Sequence, residues 1–62
     1  MEDKLSQQAR RAIAAEQYLQ NVFRQMQHRT SNTRVSAVIH DLLLMEEMNE
    51  VLLKSISQGL DS

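Results

Sequence analysis

The sequence contains no cysteine and no proline, and glycine occurs once, at Gly59. Without cysteine the chain has neither a disulfide nor a thiolate metal site, and two histidines are too few for a structural zinc site without other ligands. Because proline and glycine interrupt helices, their scarcity leaves long helices uninterrupted. Only Tyr18 and Phe23 are aromatic, and this shortage argues against strands.

Long apolar runs are also missing. Purely apolar stretches such as 42–45 are far too short to cross a bilayer, and the acidic N-terminal residues lack the apolar core of a signal peptide. We therefore expect a cytoplasmic protein with no membrane contact. Sixty-two residues allow one domain, near the lower size limit for independent folding, and oligomerisation is the stabilising device that the composition leaves available.

Apolar residues recur at helical spacing in a first segment. Eight of them fall within one arc of about 140° on a helical wheel, which predicts a helix from about residue 3 to residue 27 with one buried face. This face consists of Leu5, Ala9, Ala12, Ala15, Leu19, Val22, Phe23 and Met26. The stretch 28–33 lacks the apolar pattern and predicts a loop, in which Asn32 or Thr33 caps the next helix. So short a loop makes the two helices antiparallel neighbours.

The second predicted helix, from about residue 34 to residue 57, carries two apolar stripes and ends before Gly59. One stripe comprises Val35, Val38, Leu42, Met45, Leu52, Leu53 and Ile56, and the other comprises Ala37, Leu44, Met48 and Val51. Together they span an arc of roughly 200°, which one neighbouring helix cannot cover and which monomers rarely expose. The sequence therefore predicts an all-α fold with a single domain over residues 1–62, a two-helix antiparallel hairpin that dimerises into a four-helix bundle.

The arc also predicts which residues are buried. The expected bundle core contains Leu19, Phe23, Val38, Leu42, Met45, Leu52 and Ile56. The expected interface with a second copy, or with another helical protein, contains Val38, Leu42, Leu44, Met45, Met48, Val51, Leu52 and Ile56. Two polar residues fall inside this arc. Asp41 needs a buried partner, either Arg34 two turns earlier on the same helix or an arginine of another helix. Asn49 is a lone polar residue of the kind that selects one register and oligomeric state.

Charge is distributed unevenly along the chain. Residues 1–34 carry six basic and three acidic side chains, a balance of +3, whereas residues 35–62 carry one basic and five acidic side chains, a balance of −4. Helices from the two halves therefore attract each other, modestly and in a salt-dependent way.

No pattern for catalysis is present. His40 and Asp41 with Glu46, Glu47 and Glu50 form the only group with ligand or acid–base character, but the Glu-x-x-His spacing of carboxylate-bridged metal sites in helix bundles is absent. This group is interpreted as a solvated outer surface. The sequence also lacks a glycine-rich phosphate loop, a Ser/His/Asp arrangement and a cysteine nucleophile. We expect no enzyme, no catalytic residue, no cofactor and no metal.

Two functional hypotheses follow. The first is a homodimeric protein–protein interaction module, a small regulator, adaptor or chaperone that acts through helix surfaces, since Met-containing apolar stripes accept varied helices. The alternative is a nucleic-acid-binding regulator, because basic side chains contact phosphates and an exposed tyrosine stacks on an unpaired RNA base. Its candidate residues are Lys4, Arg11, Tyr18, Arg24, Arg29 and Arg34. In size and layout the predicted dimer resembles the Rop-type helical hairpin dimers, which bind paired RNA loops, and the resemblance is one of architecture without a shared motif.

Overall fold

The computed structural model describes residues 2–61, and these form two α-helices joined by a tight turn. Helix α1 spans Glu2–Arg29 and helix α2 spans Thr33–Asp61. The two helices pack against each other antiparallel, so that the hairpin measures 47 × 14 × 11 Å. The predicted all-helical hairpin is confirmed.

The turn is shorter than the sequence pattern suggests. Only residues 30–32 lie between the helices, because His28 and Arg29 continue α1, where their basic character suits the negative end of the helix dipole. Asn32 is the N-cap of α2: its side-chain oxygen accepts hydrogen bonds from the backbone N–H groups of Arg34 at 3.0 Å and Val35 at 3.1 Å. Of the two predicted caps, the structure confirms Asn32.

Helix α2 also extends further than predicted. It continues through Gly59 to Asp61, and no glycine among the described residues has a positive φ. A glycine cap requires the left-handed backbone, so the prediction that Gly59 ends the helix is wrong. The continuation keeps Leu60 half-buried, in line with the α2 residues that contact α1.

The contact between the helices follows alternating spacings of three and four residues, the pattern that keeps one line of each helix facing its neighbour. We call this contact the seam. From α1 it contains Ser6, Ala9, Ile13, Glu16, Gln20, Phe23 and Gln27, and from α2 it contains Ser36, Ile39, Leu43, Glu46, Glu50, Leu53, Ser57 and Leu60, all of them buried or half-buried. Its apolar centre is small. Among the described residues, the buried apolar side chains are Ala9, Ile39 and Leu43, and Gln20 is also buried.

The seam differs from the predicted core. Ile39 and Leu43, which neither predicted stripe contained, are only 3% and 7% exposed. Among the seven predicted core residues, Phe23 and Leu42 are half-buried and the other five are exposed: Leu19, Val38, Met45, Leu52 and Ile56. These five were predicted as part of the core of a bundle of two copies, so their burial in that bundle stays a prediction. Helix α2 contacts α1 through the side that borders its apolar arc and carries polar residues. On that side Glu50 accepts hydrogen bonds from side chains of α1.

Candidate interaction surfaces

A polar cluster around Glu50 connects the two helices near the middle of the seam. Its carboxylate accepts hydrogen bonds from Gln20 Nε2 at 2.7 Å and from Gln17 Nε2 at 3.3 Å, and it forms an ion pair with Lys54 Nζ at 2.7 Å. The hydrogen bond from Lys54, followed by those from Gln20 and Gln17, lowers the pKa of Glu50 from 4.5 to about 2. Glu50 is thus held ionised at neutral pH while its side chain is only 15% exposed.

The structure separates the predicted group of histidine and acidic residues. Glu46 and Glu50 lie in the seam, so their interpretation as a solvated outer surface is wrong, whereas Glu47 pairs with Arg24 of α1 at 3.7 Å and stays half-exposed. Asp41 lies 3.8 Å from His40, and its side chain is 79% exposed. Among the side chains that the structure describes, residues 3–60, no group of three such side chains is arranged to hold a metal ion.

Asp41 and Asn49 are both exposed in the single chain. In the single chain Asp41 does not pair with Arg34, because Asp41 points into solvent on the side of α2 away from the seam and lies beside His40. An arginine partner from another helix stays a prediction for the assembly. Asn49 lies on the same line of α2 as the apolar residues Met45 and Leu52, because it is four residues after Met45 and three residues before Leu52. This is the position that the sequence predicted for Asn49. Its predicted effect on register stays a prediction.

The seam contains buried polar atoms without partners. Glu16 Oε2, Glu46 Oε2 and Ser57 Oγ are buried and, among the described contacts, accept or donate no hydrogen bond. Such groups cost free energy because they lose water without a replacement. The seam is consequently a weak core, and most of the large apolar side chains of the chain lie outside it.

These side chains form an apolar face that extends over both helices on one side of the hairpin. It comprises seven residues of α1, Leu5, Gln8, Ala12, Ala15, Leu19, Val22 and Met26, and seven of α2, Val35, Val38, Leu42, Met45, Asn49, Leu52 and Ile56. None of the fourteen is charged. Eight are large apolar residues with exposures from 36% to 60%. So wide an exposed apolar surface is typical of a protein-interaction site.

At the turn end of the hairpin the apolar face deepens into an open groove of about 310 Å³ between the helices. The groove is lined by Met26, Arg34, Val35, Val38, Ile39 and Leu42. Because Met26 belongs to α1 and Val38 to α2, the groove shows that the apolar lines of both helices open on the same side. The Arg24–Glu47 ion pair lies across the opposite side of the seam.

The predicted interface residues belong to two surfaces. Val38, Leu42, Met45, Leu52 and Ile56 lie on the apolar face. Leu44, Met48 and Val51 lie on the side of α2 that points away from α1, where they are 51%, 65% and 63% exposed. We call these three residues the remote stripe. The remote stripe and the apolar face therefore lie on different sides of α2.

The predicted nucleic-acid contacts do not gather on one surface. Lys4, Arg11 and Tyr18 are exposed at seven-residue spacing along the outer side of α1, and Tyr18 is 69% exposed. Arg24 is engaged with Glu47 across the seam, and Arg34 lines the groove at the opposite end of the hairpin from Lys4. Arg29 is exposed at the end of α1.

No protein-family model matches the chain, and neither the curated proteins nor the solved structures contain a match. Over the residues that the structure describes, neither helix combines the length and the apolar character that crossing a bilayer requires.

Proposed function

We propose that this chain is a non-enzymatic protein-interaction module, a homodimeric helical hairpin that works as a small regulator, adaptor or chaperone by presenting helix surfaces to another protein. The observation that carries the proposal is the apolar face, in which fourteen uncharged positions extend over both helices. Self-association covers this face. The remote stripe of Leu44, Met48 and Val51 then remains available for an amphipathic helix of a protein partner.

The surface area of the single chain supports self-association. The hairpin exposes 5056 Å², whereas a compact monomer of its 7.2 kDa mass exposes about 4100 Å². The excess of about 900 Å² is close to the share of about 800 Å² that each partner contributes to a standard protein–protein interface. Covering that share raises the fraction of surface buried on folding from about 52% to about 59%, near the value of about 60% for domains of this size.

The shape of the chain leads to the same conclusion. Its radius of gyration is 14.4 Å, whereas a globular chain of this length has a radius near 10.6 Å, on the order of a quarter smaller. Two hairpins stacked on their apolar faces form a bundle that is roughly twice as thick as one hairpin and has the same length. Each helix of the bundle then has two neighbouring helices instead of one.

The proposal is tested by the solution mass of the purified chain from light scattering, with helicity followed by circular dichroism across a dilution series. A helical dimer that loses helicity on dilution supports self-association. A poorly helical monomer that gains helicity with a binding protein would contradict the homodimer and show that the apolar face takes a different polypeptide. A fully helical monomer at every concentration would contradict the proposal, because the apolar face would then need no partner.

The exposed ring of Tyr18 favours a second candidate function, the binding of unpaired RNA by the outer side of α1. Lys4 and Arg11 lie on the same line of the helix, and the second copy in a dimer doubles the number of basic side chains. This candidate predicts affinity for single-stranded RNA that falls steeply between low and moderate salt and is lost in an Arg11→Ala, Tyr18→Ala variant. Salt-independent binding, or binding unchanged in the variant, would exclude it.

A further inference from the structure

We infer that the apolar face is covered by a second copy stacked so that α1 of each chain lies on α2 of its partner, with both turns at the same end of the bundle. The inference rests on the proposed self-association and adds its arrangement. Two stackings with a twofold axis bring apolar faces together. An axis parallel to the helices places α1 on the partner's α2, whereas an axis across the helices places α1 on the partner's α1 and puts the turns at opposite ends.

Charge distinguishes the two stackings. Helix α1 carries five basic and three acidic side chains, a balance of +2, and α2 carries two basic and five acidic side chains, a balance of −3. With the turns at the same end, all four contacts between neighbouring helices join a positive helix to a negative one. With the turns at opposite ends, two of the four contacts join helices of the same sign, which electrostatic repulsion disfavours.

Side-chain size favours the same arrangement. The α1 half of the apolar face contains the small residues Ala12 and Ala15, whereas every apolar residue of the α2 half is valine or larger. Stacking α1 on the partner's α2 sets these two alanines against large apolar residues. The alternative stacks the large residues of α2 on those of the partner's α2 and brings the alanines of the two α1 helices close together, which leaves space between them.

The contacts within the hairpin also give the levels at which residues of the two copies meet. Gln20 bonds to Glu50 and Arg24 pairs with Glu47, so positions on α1 and α2 at the same height have numbers that sum to about 70. A twofold axis parallel to the helices preserves these heights between copies. Leu19 then lies opposite the partner's Leu52, and Ala15 lies opposite the partner's Ile56. Leu19 and Ala15 therefore each meet a large apolar residue of the partner's α2.

The arrangement is tested by pulsed electron–electron double resonance with one nitroxide on each chain. The absence of native cysteine permits labelling at Ser31→Cys, an exposed turn position outside the Asn32 cap. With the turns at the same end, the two labels are separated by on the order of 10–25 Å, since packed helices lie about 10 Å apart. With the turns at opposite ends, the separation approaches the 47 Å length of the hairpin.

A second labelled variant, Tyr18→Cys, reports dimerisation in either stacking, because position 18 lies near the middle of α1 on its outer side. Short distances from both variants support the inference. A long distance from Ser31→Cys with a short one from Tyr18→Cys overturns the arrangement and leaves self-association standing. The absence of any dipolar coupling in both variants, at concentrations up to the millimolar range, overturns self-association as well.

Discussion

Substitution of glutamate for Met45 or Met48 provides a matched test of which surface the second copy covers. The two methionines are three residues apart on α2 and are 60% and 65% exposed in the single chain, so their burial before association is nearly equal. Met45 lies on the apolar face and Met48 lies on the remote stripe. Each variant adds one negative charge to the same helix, and methionine and glutamate have similar helix propensities. The two variants therefore differ only in the side of α2 on which the new carboxylate lies.

The size of the effect follows from the exposed fraction. Complete burial of a large aliphatic side chain contributes about 1.5–3 kcal/mol, so covering the exposed 60% of Met45 contributes about 1–2 kcal/mol per chain. A dimer contains two copies, and the loss of about 2–4 kcal/mol weakens dimerisation by at least about thirtyfold. The buried carboxylate adds a desolvation cost in the same direction. Met48→Glu places its charge in solvent and leaves the dissociation constant within about threefold of the wild type.

Sedimentation equilibrium or light scattering over a concentration series measures both dissociation constants, and circular dichroism at high concentration checks that each variant is helical. The reasoning is refuted if Met48→Glu dissociates the dimer as strongly as Met45→Glu, or if Met45→Glu has no effect. In the first case the remote stripe is part of the self-association surface. In the second case the apolar face is open in the dimer.

Three further predictions concern the stability of the hairpin. Asn32→Ala removes the cap of α2 and lowers the unfolding free energy by about 1 kcal/mol, a fall in Tm of roughly 4–8 °C, whereas Thr33→Ala, which removes no observed cap bond, changes Tm much less. Gly59→Ala raises helix stability by about 0.5 kcal/mol, because Gly59 is helical and an added Cβ meets no atom within 4 Å; a lower Tm would contradict this. The pKa of Glu50 is lowered to about 2, below its ordinary value of 4.5, so its ionisation stabilises the fold above about pH 4.5 and this contribution is lost as the pH falls toward 2. Denaturant unfolding at several pH values should therefore show a deficit in Glu50→Gln at pH 7 that shrinks toward pH 2, larger than the deficit of the exposed control Glu47→Gln, and a deficit that is independent of pH would contradict the assigned hydrogen bonds.

Much of the local structure follows from neighbouring residues and was predictable from the sequence. Apolar spacing predicted both helices, and the polar stretch that contains Asn32 predicted the turn and its cap. The outer side of α1 was also predicted, since Lys4, Arg11 and Tyr18 are all exposed. These features depend on the backbone and on side chains within about one turn of each other, which a single sequence records directly.

The parts of the site that were mispredicted depend on contacts between the helices. Wheel positions identify which residues share a line on α2, but the rotation of that helix against α1 is set by both partners at once. The observed rotation lets Glu50 reach Gln20 across the hairpin, and it buries Ile39 and Leu43 while leaving Met45 exposed. The sequence by itself therefore determined two amphipathic helices, their cap and more apolar surface than one hairpin buries. Only the tertiary structure decided which side of α2 is buried against α1 and which apolar side stays exposed, because that choice depends on contacts between residues about thirty positions apart, such as Gln20 and Glu50.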